Sequence, residues 1–206
     1  MFHFDSTPAL VVVDMQNGFC HKDGSFARLG IPTDPSSIVP RINKLLSEFR
    51  TAGLPIYFFK TGYKGDYSDR RGRDRHDRLE QFQGLLQGSW DAEILAELTP
   101  EPGDNVITKT RNSCFIRTSL EDTLKERGVD HLILTGVGTD VCVETTARDA
   151  YQLNFAVTTI SDATWTCNEP DHLAALHALR NFGGTALTSE VAEALEKLRK
   201  LDPTLT

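Results

Sequence analysis

No stretch of this chain is apolar for long enough to cross a bilayer, since none approaches the ~18 residues a spanning helix needs. The opening MFHFDSTPALVVVD has neither a basic start nor a long apolar segment, so no secretion signal is expected. Cysteine is scarce. Cys20, Cys114, Cys142 and Cys167 show no C-x-x-C or other paired spacing. That pattern speaks against a disulfide framework and for a reduced, cytoplasmic chain. Basic residues are also outnumbered: 22 Lys and Arg face 29 Asp and Glu, a net charge of -7. A surface of that sign repels phosphate, so no nucleic-acid role is expected. Internal repeats and linker-like segments are missing too, and 206 residues suit one domain across 1–206.

What is present is a real core. Hydrophobic residues make up 39% of the chain and charged residues 25%, the proportions of a globular protein. Six short apolar runs read as strands, at 9–14, 54–60, 105–109, 131–137, 154–160 and 183–189. They are continuous rather than alternating, as expected for strands covered on both faces. Helical patterns separate them. One carries Ile38, Ile42, Leu45, Leu46 and Phe49 and stops at Gly53 and Pro55. Others run from Thr118 to Gly128, onward from Cys142, onward from Pro170, and from Ser189, a candidate N-cap. Strand–helix alternation of this kind predicts a three-layer α/β/α fold: six mostly parallel strands in Rossmann-like order with helices on both faces. The segment 61–104 is longer than a plain connection and is expected to serve function or assembly. Within it, KGDYSDRRGRDRHDR at 64–78 reads as a solvated loop, a cover over a site, or a subunit contact.

Ligands of such sheets sit beyond the carboxyl ends of the strands. Three chemically capable residues fall on that rim: Asp14 after the first strand, Lys109 at the end of the third, and Cys142 in the turn TGVGTDVCV after the fourth. A thiol in the first turn of a helix, beside a cation, gains thiolate character and is expected to be partly ionised near neutral pH. Asp14 can take its proton and return it to a leaving nitrogen. The N–H of Cys142 and the glycine-rich turn before it offer donors to an oxyanion. A non-catalytic nucleotide cradle is the other reading of GVGTD. It is weakened by the missing third glycine and by its place after the fourth strand.

The motifs LVVVDMQNGF (10–19), PGDNVITKTRNSCF (102–115), LTGVGTDVCVETTARDA (134–150) and SDAT (161–164) together resemble the isochorismatase-like cysteine hydrolases. That superfamily includes nicotinamidase and the hydrolases of N-carbamoylsarcosine, ureidoacrylate and biuret. The resemblance spans nearly the whole chain. It implies Asp14 as general base and acid, Lys109 as the stabilising charge and Cys142 as nucleophile. It also implies a cis peptide at Val137–Gly138, with the N–H groups of Gly138 and Cys142 as the oxyanion hole. The substrate it implies is a small linear amide, ureide or N-carbamoyl compound, cleaved without a cofactor by a homo-dimer or homo-tetramer.

Two departures narrow this. Nicotinamidase-like members carry D-x-H and a further His after the second strand; here TGYKGDYSDRRGRDRHDR offers His76 alone, so no metal is expected. Members acting on a vinyl ether lack the nucleophilic cysteine, and Cys142 therefore favours C–N cleavage. Around the core trio, Asn17 and Phe19 are expected on the substrate side and Gln16 in a structural role. Trp90 reads as pocket wall or core, Arg111 as a holder of a substrate carboxylate or a structural ion-pair partner. Cys20, Cys114 and Cys167 read as packing or incidental thiols.

Overall fold

The computed structural model describes residues 2–4, 6–70 and 77–201. Among these residues six strands form one sheet: β1 (Pro8–Val13), β2 (Ile56–Thr61), β3 (Asn105–Lys109), β4 (His131–Val137), β5 (Ala156–Trp165) and β6 (Thr185–Ala186). Their order is β3-β2-β1-β4-β5-β6, and every pairing is parallel. The strand order therefore reverses direction between β1 and β4, which is where such sheets open a crevice.

Alternation of side chains along β1 assigns the two faces. Leu10 and Val12 pack with Ile42, Leu45 and Phe49 of α3 (Val39–Thr51), on the face that also holds Val191 and Leu195. Ala9, Val11 and Val13 point the other way, toward Leu120, Leu124, Val143, Ala147, Ala150 and Leu179. In chain order the helices are α1 (Asn17–Cys20), α2 (Ser25–Arg28), α3, α4 (Leu120–Glu126), α5 (Glu144–Gln152), α6 (Glu169–Leu179) and α7 (Thr188–Leu201). The layering is thus helix, sheet, helix.

Three expectations need correction. β3 alternates, with Val106 exposed, as it stands at the edge of the sheet among the described residues; uniform burial holds only in the centre. β6 is two residues long, and SDAT lies inside the long β5 rather than after it. Ser189 is inside α7, not before it; the helix begins at Thr188, whose N–H and hydroxyl are both taken by Asp162.

The long 61–104 connection has its own small core of Tyr63, Leu79 and Leu85, with Phe19, Phe26 and Tyr67 against it. Its end returns across β1: Asn17 N–H donates to the Glu93 carbonyl, and Leu95 N–H to the Met15 carbonyl, both at 2.9 Å. The buried Asp91 carboxylate ties it down by accepting Ser25 N–H (2.8 Å), the Ser25 hydroxyl (2.7 Å) and Leu85 N–H (2.7 Å). His76 and the central part of the Arg/Asp-rich stretch, 71–76, lie outside the described residues.

Candidate active site

Register brings the rim residues together. Val13 is level with Gly136 on one side and Phe59 on the other, while Thr61 is level with Lys109. β1 therefore stops short of β2 and β3, and Asp14, the first residue past it, sits beneath their ends. Asp14 has φ 52°, an uncommon backbone for a residue with a Cβ. Gly136 is needed for the same junction: at φ +107° a Cβ there would stand 2.1 Å from the Val13 carbonyl oxygen.

Lys109 crosses the rim to meet Asp14. Its Nζ lies 2.7 Å from Asp14 Oδ2, and neither side chain is more than 1% exposed. The same ammonium donates to Thr61 Oγ1 and to the Arg111 carbonyl, each at 3.1 Å, so all three of its N–H groups are engaged. Burial opposes the charge on Lys109, but the Asp14 carboxylate bonded to it acts the other way and the ammonium stays protonated.

Cys142 arrives from the opposite side of the switch point. After the cis Val137–Gly138 peptide the chain makes one wide turn over Thr139–Val143 and runs straight into α5. The Gly138 carbonyl accepts from the N–H groups of Val141 (3.1 Å) and Val143 (3.2 Å). Wide helical turns of this kind often occur at functional sites. Thr146 locks the turn to the neighbouring loop, donating to the Cys142 carbonyl (2.7 Å) and accepting from Cys114 N–H (3.1 Å). The Thr139 hydroxyl is held by His172 Nδ1 at 2.8 Å.

The Cys142 thiol lies near enough to the Asp14 carboxylate and the Lys109 ammonium for both to act on its proton. Burial pushes this thiol well above its ordinary range; Lys109 pulls it down, while Asp14 pushes it further up. The expectation of a partly ionised thiol is therefore corrected. The helix terminus and Lys109 favour the anion, but the lack of water and the adjacent carboxylate favour the neutral thiol more strongly. Cys114, fully buried and near enough to feel Lys109 and Asp14, is likewise pushed up to about 12 by burial.

The remaining candidates have definite places. The Gln16 side chain is wholly structural: it donates to the carbonyls of Thr61 (2.8 Å) and Ala92 (2.9 Å) and accepts Thr61 N–H (2.7 Å). Asn17 donates to the Trp90 carbonyl at 2.8 Å, so its amide braces the connection. Phe19 is half-buried with its ring centroid 4.5 Å from that of Phe26. Trp90 is 51% exposed, which removes it from the core. Its ring meets His21 edge-on at 5.1 Å. Among the described residues Arg111 pairs with backbone: Nη1 donates to the carbonyls of Asp69 (2.8 Å) and Thr110 (2.7 Å). It lines a pocket of about 180 Å³ with Tyr63, Thr110, Asn112, Ser113 and Thr145. Thr145 is three residues past Cys142, so this pocket adjoins the thiol's helix. Among the described residues no group of three or more His, Cys, Asp or Glu side chains is arranged to hold a metal ion. Thr61 is the member that sequence reading missed. Its signal is its place: it is the last residue of β2, one past the apolar run 54–60, and hence on the rim.

A doubly wound sheet carrying a buried acid, ammonium and thiol at its switch point defines a class, the α/β proteins with a cysteine-centred site. Residues 8–191 match the isochorismatase domain, and the chain belongs to that family. It is 35% identical over 175 residues to a ureidoacrylate amidohydrolase, RutB, of Variovorax paradoxus (strain S110), covering 77% of this chain and 69% of the relative. Its fold superposes on a cysteine hydrolase from Pseudomonas syringae pv. phaseolicola 1448A with TM-score 0.83 and 31% identity, covering 92% of each chain. An N-carbamoylsarcosine amidase from Thermoplasma acidophilum gives TM-score 0.72 and 28% identity over 88% of this chain and 96% of that one.

Proposed function

We propose that this chain is a cysteine amidohydrolase that cleaves a C–N bond of a small linear amide, ureide or N-carbamoyl compound. The observation that carries the reading is the burial of the Cys142 thiol on the same rim as an Asp14 carboxylate already paired at 2.7 Å to buried Lys109. The names of the relatives, a ureidoacrylate amidohydrolase and an N-carbamoylsarcosine amidase, agree with that substrate class.

The steps use the acid, the ammonium and the thiol of the rim. Asp14 removes the thiol proton, and the sulfur attacks the carbonyl carbon as the C–O π electrons move onto oxygen. The N–H groups of Gly138 and Cys142 receive that oxyanion, and Lys109 stabilises the negative charge at the site. When the tetrahedral adduct collapses, the C–N bond breaks and protonated Asp14 gives its proton to the departing nitrogen. A thioester or carbamoyl thioester remains on Cys142. Asp14, again ionised, takes a proton from water; the resulting hydroxyl attacks, and the C–S bond breaks with the sulfur regaining its proton. Because the resting thiol is neutral, Asp14 acts as a true base in the first step. Arg111, with Nη1 anchored on backbone, turns its guanidinium to a substrate carboxylate in the adjoining pocket, and Asn17, Phe19 and Trp90 border the substrate side. The enzyme works as a cytoplasmic homo-dimer or homo-tetramer, which light scattering on the purified protein and cell fractionation test.

The decisive experiment combines an ammonia-release screen with trapping. Ureidoacrylate, N-carbamoyl amino acids, biuret, nicotinamide and small aliphatic amides are offered in turn. Enzyme quenched during turnover should show an acyl or carbamoyl adduct by intact mass, mapped to Cys142. An adduct on Cys20, Cys114 or Cys167 would refute the mechanism. Hydrolysis of isochorismate with no release of ammonia would make the enzyme a vinyl-ether hydrolase instead.

A further inference from the structure

Thr61 is buried at the end of β2 between the two charges of the site. Lys109 Nζ donates to its Oγ1 at 3.1 Å, and an ammonium has no lone pair to offer in return. The hydroxyl oxygen must therefore accept from Lys109, which leaves its single proton to point elsewhere. Asp14 Oδ1, 3.0 Å away, receives it. A hydroxyl polarised by a cation is a stronger donor, and in a dry site the chain ammonium–hydroxyl–carboxylate is cooperative.

The support for that hydroxyl is itself built. Both backbone polar groups of Thr61 are taken by one side chain: Gln16 Oε1 accepts its N–H at 2.7 Å, and Gln16 Nε2 donates to its carbonyl at 2.8 Å. Gln16 also holds the Ala92 carbonyl at 2.9 Å, so the clamp is anchored in the returning connection. Asp14 needs such help, because at φ 52° it has left the strand that would otherwise orient it. Lys109 grips one carboxylate oxygen and Thr61 the other. Two contacts fix a plane where one would leave a swivel.

We propose that Thr61 is a positioning residue for the reaction: its hydroxyl, clamped through Gln16, fixes the Asp14 carboxylate against the Cys142 thiol and so governs how fast that thiol is deprotonated. This rests on the reading of Asp14 as the base for Cys142. It goes beyond the acid–ammonium–thiol trio, because Thr61 acts on the sulfur only through Asp14, to which it donates at 3.0 Å.

The test compares Thr61→Val, which keeps the shape and loses the hydroxyl, with Thr61→Ser, which keeps the hydroxyl. The first readout is the rate at which iodoacetamide alkylates Cys142, followed by peptide mapping; it needs no substrate. Thr61→Val should slow alkylation roughly 10-fold or more, within the usual range for general-base effects, and Thr61→Ser should bring it back to within about 3-fold of the parent. The second readout is turnover: kcat should fall in step with alkylation while KM stays within about 2-fold, the signature of a lost transition-state contact. Should Thr61→Val fold poorly by circular dichroism, Thr61→Ala carries the same expectation without the second methyl. Parent-like alkylation in the folded variant lacking the hydroxyl, a Ser variant no better than Val, or a loss confined to KM would each overturn the proposal. A parent enzyme that hydrolyses no amide or ureide would overturn the functional reading alone, and alkylation would still decide the role of Thr61.

Discussion

Asp14 and Asp91 are both carboxylates buried in the same half of the molecule, and they differ in what satisfies them. Asp91 accepts two backbone N–H groups and one serine hydroxyl, with Arg28 at 3.6 Å on its exposed flank. None of those three donors has a proton to give up near neutral pH. Asp14 is met by an ammonium, a cation-polarised hydroxyl and a thiol. Two of those groups are titratable, and one is a nucleophile once its proton leaves. A buried carboxylate surrounded by amides is a fastener, while one surrounded by proton carriers is equipped for chemistry. The contrast extends to the neighbours. A Cβ on Gly18 would stand 2.5 Å from Asp91 Oδ2, so the Asp91 node is packed shut, whereas Arg111 and Thr145 border open space beside the Asp14 node.

The sharpest way to break this contrast is at the sulfur. Cys142→Ser should fold normally and lose at least ~10⁴-fold in kcat, since a hydroxyl is far less acidic than a thiol and the proposed first step removes that proton. Measurable turnover by the serine variant would mean that the Asp14 node is not built around a nucleophile. Next come Asp14→Ala and Lys109→Ala, each expected to cost at least ~10²-fold in kcat, the usual scale for a general acid–base or charge-stabilising partner. Near-full activity in Lys109→Ala would remove the site assignment altogether.

Asp91 should behave in the opposite sense. Asp91→Ala leaves three buried donors without an acceptor, so the variant should lose about 3 kcal/mol of stability in urea denaturation. Below its melting temperature it should keep kcat within about 3-fold. A variant of Asp91 that stayed stable but lost turnover would place the chemistry at the wrong carboxylate.

A smaller effect separates the two nodes by pH. Burial raises the thiols of Cys20, Cys114 and Cys142 above their ordinary 9.0, and Cys114 reaches about 12. The folded chain therefore keeps protons that the unfolded chain sheds. Their contribution to stability is complete below about pH 9 and is lost as pH rises above it, by at most ~1.4 kcal/mol per pH unit per thiol. Thermal melting between about pH 8 and pH 11 should show the decline, and Cys20→Ala should make it shallower. A flat profile would mean that these thiols are wetter than their surroundings suggest. The smallest expected effect is none at all: overnight EDTA should leave the rate unchanged, because the stretch that contains His76 has no second His of the kind that metal-bearing members carry. Activity lost to EDTA and restored by a divalent ion would point to ligands in or near the stretch that contains His76.

Much of this was readable along the chain. Continuous apolar runs such as ALVVV in β1 and HLIL in β4 announced central parallel strands, and strand–helix alternation with the motif positions placed Asp14, Lys109 and Cys142 on one rim. Those features are local or periodic, and local chemistry expresses itself in sequence. The cis Val137–Gly138 bond was implied by family resemblance and is present. Less legible were the edges. β3 alternates and β6 is short because exposure at a sheet edge depends on which strand is absent beside it, a property no segment carries in itself.

The protonation state of the site belongs to that second kind. Sequence supplied a thiol at a helix start and a lysine, which together suggested an anion. Only the packed structure sets the depth of burial and the nearness of Asp14, and these reverse the inference. Thr61 and Gln16 make the same point. They lie 45 residues apart, and neither is unusual in its own segment; the parallel register of β1 with β2 turns them into a clamp. Asp91 and Ser25 are 66 apart and meet only because the long connection folds back over α1. The sequence by itself determined which chemical groups are available and which strand ends carry them, because side-chain identity and hydrophobic period are properties of a stretch. The tertiary structure alone decided which carboxylate faces a proton carrier and which faces amides, because dielectric, register and long-range hydrogen bonding exist only once distant segments are packed together.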